Sequence, residues 1–324
     1  MIRIWTVAVL SMLLVGLPLA CSKKGGGSVR QQGGGPVILC STFPMYLFTR
    51  NIVAGREGAQ VDIMVPSAMG CPHDYTLTPQ DLRKIAAADV FVANGLGMEE
   101  FLGDPIKRVN SKIETIDSSA GIDELIQIES HAHDEHNAQG GAREDHSHHG
   151  LNPHLFASPR MAAKVVRNIA AGLGKIDPAG AKLYADNAQS YAARLEELAN
   201  EISAELKDVP NRKIVTQHAV LDYLARDCSL EIVAVIEENP GQEPSAAEML
   251  RLVADIKASG AAAIFTEPQY SAKAGQTIAN EAGIPVAVLD PVASGPNDAP
   301  PDYYEKTMRL NLVTLSETLK AKAK

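Results

Sequence analysis

At 324 residues, 45% of them hydrophobic and 21% charged, with a formal net charge of −9, the chain can bury a large core, and its length favours two lobes over one. So acidic a body is a poor ligand for nucleic acid, and the sequence carries neither a phosphate-binding loop nor a set of permease spans. The nine histidines and four cysteines are the residues whose placement bears most on chemistry.

The chain opens on a targeting segment. Arg3 precedes an apolar run over residues 4–19, too short to cross a bilayer comfortably, which ends in Leu17-Pro18-Leu19-Ala20-Cys21. Small Ala20 before Cys21 resembles a bacterial lipoprotein signal, in which residues 1–20 are removed and Cys21 is lipidated as the new first residue. Pro18 stands where such signals usually carry Leu, so ordinary secretory cleavage is the alternative. Residues 21–35, with Gly25-Gly26-Gly27 and Gly33-Gly34-Gly35, cannot pack and read as a flexible tether.

From Pro36 onward, short β-branched runs alternate with helical stretches, the pattern of parallel α/β units. Strands are expected at 37–40, 61–65, 90–93, 214–217, 232–235, 262–266 and 286–289. Helix starts carry cap chemistry: Thr78-Pro79-Gln80-Asp81 places a hydroxyl at the cap, proline at the first helical position and an acid in the first turn, and Ser158-Pro159 repeats the first two. Between Asp177-Pro178 and Val209-Pro210 the rhythm breaks. Tyr184, Ala188, Tyr191, Leu195, Leu198, Ile202 and Leu206 recur at three- and four-residue spacing, which predicts one helix of roughly 45 Å, long enough to connect two lobes. A coiled-coil dimer is the alternative use of such a helix, but prolines bound it and it lies mid-chain. The expected organisation is an N-terminal α/β lobe at 36–176, a linking helix at 177–209 and a C-terminal α/β lobe at 210–324.

Histidines fall into two groups. His131, His133, His136, His146, His148 and His149 crowd into the polar stretch 129–150, interleaved with Asp134, Glu135, Glu144 and Asp145. Such a segment cannot form a core and reads as a weak auxiliary metal loop or as a solvated insertion. The others stand singly: His73 between an expected strand and the Thr78 cap, His154 before the Ser158 cap, and His218 after the strand ending at Gln217. Strand carboxyl ends open onto the ligand crevice in parallel α/β sheets, so these positions point to a shared cleft. Glu267 and Asp290 occupy equivalent strand ends. Neutral imidazole is the commonest protein metal ligand, which makes metal handling the leading expectation. Cys40, Cys71 and Cys228 are an odd set for an oxidising compartment. A Cys40–Cys71 disulfide is the favoured pairing, with burial as small apolar residues and a Cys71 thiolate ligand as the other readings.

Five motifs in order now resemble a known family. They are Pro72-His73-Asp74-Tyr75 with Thr78-Pro79, Asn152-Pro153-His154-Leu155 with Ser158-Pro159, Thr216-Gln217-His218 with Asp222-Tyr223, Phe265-Thr266-Glu267-Pro268, and Leu289-Asp290-Pro291. The resemblance is to the zinc and manganese solute-binding proteins of bacterial ABC importers. It implies two α/β lobes joined by a rigid backbone helix, with metal held between them by His73, His154, His218 and Asp290, and Glu267 behind them. It also implies a monomer outside the cytoplasm that serves a permease and its cytoplasmic ATPase as separate chains, held at the membrane by its lipid anchor.

Two positions depart from the family pattern. Cys71 stands where a small or polar residue is more usual. Val292-Ala293-Ser294-Gly295 replaces a commoner short continuation after Asp290-Pro291, which leaves water or another acid as alternatives for the fourth ligand. Three imidazoles and one carboxylate suit tetrahedral Zn²⁺, whereas Mn²⁺ prefers more oxygen donors. Manganese-preferring relatives tend to carry a carboxylate where His218 stands, so zinc is expected, with manganese or iron as the alternative cargo. A zinc hydrolase with Glu267 as base would need an open coordination site, and no HExxH motif is present. A surface adhesin would explain the tether but not the ordered histidines.

Overall fold

The computed structural model describes residues 34–72, 75–102, 105–128, 150–237 and 241–320. The expected signal and residues 21–33 of the expected tether, with Cys21, lie outside them, as do His73 and residues 129–149 of the histidine-rich stretch.

The first lobe runs β1 (Val37–Cys40), α1 (Phe43–Ile52), β2 (Gln60–Ile63), α2 (Pro79–Ala87), β3 (Val90–Ala93), α3 (Pro105–Val109) and β4 (Glu114–Asp117). After it come α4 (Pro159–Ile176) and α5 (Ala181–Glu205), and the second lobe follows: β5 (Lys213–Thr216), α6 (Asp222–Asp227), β6 (Glu231–Val235), α7 (Ala246–Ser259), β7 (Ala263–Thr266), α8 (Lys273–Ala282), β8 (Val286–Val288) and α9 (Tyr303–Lys320). Among the described residues the strands form two four-stranded sheets, ordered β2-β1-β3-β4 and β6-β5-β7-β8. Every pairing is parallel. The two sheets share one topology, and each changes its winding direction at the pair formed by its first and third strands, where a crevice opens at the carboxyl ends.

The expected strands appear within a residue or two of their predicted bounds. β4 is an addition. It is an edge strand of sequence Glu-Thr-Ile-Asp in which only Ile116 is buried, so acids flank its two β-branched residues and no apolar run announces it. Thr78 caps α2 through a full capping box with Asp81, and Ser158 accepts from the Met161 amide at the start of α4. The long helix is shorter than expected. Asp177-Pro178-Ala179-Gly180 form a turn between α4 and α5, leaving 25 residues, or roughly 37 Å at 1.5 Å per residue. Its periodic positions Tyr184, Ala188, Tyr191, Leu195, Leu198 and Ile202 are all buried.

Among the described residues, three apolar clusters explain the packing. One lies between the first sheet and α2–α3, around Leu39, Ile85 and Phe91. A second lies between the second sheet and α7–α8, around Val215, Ile264 and Ile278. The third is shared: Ile38 and Phe48 of the first lobe, Tyr184, Tyr191 and Leu195 of α5, Tyr223 and Phe265 of the second lobe, and Tyr304 of α9 belong to one continuous core. α5 is tied at one end to the first lobe, where Asn187 donates to the carbonyls of Ile52 and Ala54 at 2.9 Å each. Toward its other end it is tied to α9 by Arg194–Glu305 and Lys320–Glu205. The segment after β8 straps the lobes together: the Gly295 amide donates to Ser67 O at 2.8 Å, Ser67 Oγ to Asn297 Oδ1 at 2.7 Å, and Arg50 to Ala299 O at 2.8 Å. The departure noted at residues 292–295 is thus part of an interlobe strap.

Candidate metal centre

Sharp turns after strand ends carry the chemical groups. His154 follows Asn152-Pro153, and four separate partners fix this loop. Asn94 donates to Pro153 O at 2.9 Å, Tyr223 donates to Asn152 O at 2.8 Å, and Asn152 Nδ2 donates to Ala219 O at 2.7 Å and Asp222 Oδ2 at 2.9 Å. With its amide nitrogen so committed, Asn152 presents Oδ1 to His154, accepting from the backbone amide and from Nδ1, both at 2.9 Å. That assigns the proton to Nδ1 and makes Nε2 the donor atom for a metal.

His218 directly follows Gln217 at the end of β5. Its Nδ1–H donates to Glu267 Oε1 across the β5/β7 switch point, so again Nε2 is the ligating nitrogen. Glu267 is itself held: Gln269 donates to Oε2 at 2.6 Å, and its amide donates to Gln217 Oε1 at 2.9 Å. Gln217 Nε2 in turn donates to Glu237 at 3.0 Å. A carboxylate behind a ligating imidazole fixes its tautomer and raises its basicity.

The two imidazoles meet. Their ring centroids are 5.3 Å apart, edge to face, and both residues are almost wholly buried, at 3% and 2% exposure. Cys71, in the loop after β2, brings its Sγ to 4.0 Å from His218 Nε2. Cys71, His154 and His218 each offer a donor atom, and these atoms all lie within 4.8 Å of one another. Burial pushes the Cys71 thiol well above its ordinary range, and the nearby Glu267 charge adds to that. Tyr270 closes one side, its ring edge-on to His218 at 5.7 Å.

Two expected features stand elsewhere. Asp290 is outside that donor group: its Oδ1 accepts from the Val292 amide at 2.8 Å, and its backbone is bracketed by Asn311. Burial pushes the Asp290 carboxyl above the usual carboxylate range, the Val292 amide partly opposes this, and the charge of Glu267 adds to it. The Cys40–Cys71 disulfide does not form. All three described cysteines are buried free thiols; Cys40 packs within the shared core, while Cys71 turns toward His218. His73 lies outside the described residues. Asn152, Gln217 and Gln269 were not singled out from sequence, although the first two sit within two residues of a strand-end histidine, where an orienting partner is to be sought.

Two parallel α/β lobes with buried donor side chains collected between them define the class of two-lobed metal-binding solute-binding proteins. The chain belongs to the ZnuA family, described as zinc-uptake complex component A, periplasmic, whose model matches residues 38–318. It is 33% identical over 296 residues to the zinc-binding protein AdcA of Streptococcus pyogenes serotype M3, covering 88% of this chain and 56% of that one. The chain therefore spans about half the length of the AdcA proteins it matches. It is 31% identical to the high-affinity zinc uptake system protein ZnuA of Bacillus subtilis, over 95% of both chains. Among solved structures, the solute-binding protein FpvC of Pseudomonas aeruginosa in complex with Mn²⁺ superposes with a TM-score of 0.74 at 30% identity, covering 88% of this chain and 98% of that one.

Proposed function

We propose that this chain captures Zn²⁺ outside the cytoplasm and delivers it to the permease of an ABC importer powered by a separate cytoplasmic ATPase. The observation that carries this reading is the meeting of buried His154 and His218 from opposite sides of the cleft, each with Nδ1 engaged so that Nε2 faces inward. Residues 36–176 and 210–324 act as the two lobes, with 177–209 between them. His73, His154 and His218 are the proposed ligands, with the fourth position left to Asp290 or another donor, and Glu267 is the orienting carboxylate. The chain acts as a monomeric binding protein rather than an enzyme, tethered through Cys21, and residues 129–150 serve as a weak auxiliary metal loop. Support comes from family membership and from the zinc-binding relatives. An imidazole-rich donor set also suits zinc better than manganese, which prefers oxygen.

Titration with a competing zinc chelator tests it. His154→Ala and His218→Ala should each weaken binding at least tenfold, or about 1.4 kcal/mol, because each removes one of four ligands. Unchanged affinity in either variant removes that residue from the site.

A further inference from the structure

Among the described residues, the donor atoms gathered in the cleft are two imidazole nitrogens and a sulfur, and Asp290 is not among them. In tetrahedral zinc a nitrogen at about 2.1 Å and a sulfur at about 2.3 Å stand roughly 3.6 Å apart. Cys71 Sγ and His218 Nε2, at 4.0 Å, need to close by only a few tenths of an ångström to share one ion. Asp290 has a competing engagement, since its Oδ1 is held by the Val292 amide, and the interlobe strap fixes the segment that follows. Cys71 carries no disulfide and is 9% exposed. Its loop is held against the second lobe, where Gly70, at φ +84°, leaves just enough room for the Gln269 side chain. Any side chain at position 70 would press on Gln269, the residue that holds Glu267.

We infer that Cys71 is a zinc ligand of this protein, its sulfur taking a coordination position beside His154 and His218 that the carboxylate of Asp290 would otherwise fill. This rests on the zinc-capture reading above. On binding, the thiol proton passes to solvent and a sulfur lone pair forms the Zn–S bond, with no change of oxidation state. A thiolate in the set also sharpens selectivity, because sulfur favours zinc and other soft ions over manganese.

Zinc K-edge X-ray absorption on the full-length zinc-loaded protein is the direct test. The expected spectrum contains one sulfur scatterer at about 2.3 Å beside nitrogen or oxygen at about 2.0–2.1 Å. In C71S the sulfur shell should vanish, zinc affinity should fall at least tenfold, and the ratio of zinc to manganese affinity should fall with it. A wild-type spectrum with nitrogen and oxygen only overturns the inference while leaving zinc capture intact. A wild-type protein that retains no zinc overturns the underlying reading instead. Should C71S fail to fold, the wild-type spectrum alone decides.

Discussion

A single carboxylate decides how His218 is presented to the cleft. Glu267 accepts from Nδ1 and is itself braced by Gln269 and the Gln217 side chain, so the imidazole has one tautomer and one orientation before any ion arrives. Glu267→Gln keeps the shape but removes the charge that raises ligand basicity. Zinc affinity should fall about 10- to 100-fold, the usual cost of losing an orienting partner, with the melting temperature of the metal-free protein nearly unchanged. Chelator competition reads the first quantity and thermal denaturation the second; equal affinities would demote Glu267 to a packing residue. His154 and His218 were legible because each stands at a boundary marked by local chemistry, a helix cap or a strand end. The grouping of Cys71 with them was legible only as one of three options. Cys71 and His218 are 147 positions apart in sequence, and their approach depends on how two lobes pack, which no local pattern encodes.

Elements were readable to the extent that they announced themselves by apolar period or by cap. β1 and β3 are fully apolar runs, and α2 and α4 begin at Ser/Thr-Pro pairs, whereas β4 has one buried side chain in four and escaped notice. The long helix is shorter at both ends than the span between its bounding prolines: it stops at Glu205, before Val209-Pro210, and it starts at Ala181, after a turn that carries Asp177-Pro178 on through Gly180. That turn is held by Arg56, which pairs with Asp177 at 2.8 Å, and by Tyr184, which donates to the same carboxylate at 2.6 Å. The Arg56 hydrogen bond, partly offset by burial and reinforced by Tyr184, holds the Asp177 carboxyl below the usual carboxylate range. The folded state therefore binds this proton less readily than the unfolded chain does. The resulting stability is complete above the ordinary aspartate value of about 3.9 and is lost as pH falls through the lower folded value. Arg56→Ala should melt lower than the parent at pH 7, and the gap should narrow near pH 3. A gap that is constant with pH would mean that Arg56 acts by packing alone.

The strap after β8 makes a second prediction at the same scale. A Cβ added at Gly295 would overlap the Phe43 ring of α1, and Phe43 is 2% exposed and also meets Tyr303 edge-on at 5.8 Å. Gly295→Ala should destabilise the protein by about 1–3 kcal/mol, the usual cost of overpacking, read as a lower midpoint in chemical denaturation. A neutral result would show that the strap can lift from α1, and with it that the lobes are less tightly bound to each other than their shared core implies.

At the scale of the whole molecule, the proposed zinc capture makes folding and metal binding one equilibrium. The donors come from loops of both sheets: Cys71 after β2, His154 before α4 and His218 after β5. The core that joins the lobes runs through α5 and α9 without a break. An unfolded chain cannot assemble that site, so zinc should stabilise the native state by RT ln(1 + [Zn]/Kd), about 2.7 kcal/mol at a free concentration one hundred times Kd. For a body of this size that corresponds to a rise of roughly 5 °C in melting temperature. The shift should grow with the logarithm of metal concentration. Manganese at equal free concentration should give a smaller shift, since nitrogen and sulfur donors match it poorly. Differential scanning fluorimetry of the stripped protein across a buffered metal series measures both. A larger shift with manganese would replace zinc as the cargo while leaving the cleft as the binding site; no shift with either ion would remove metal capture from this cleft.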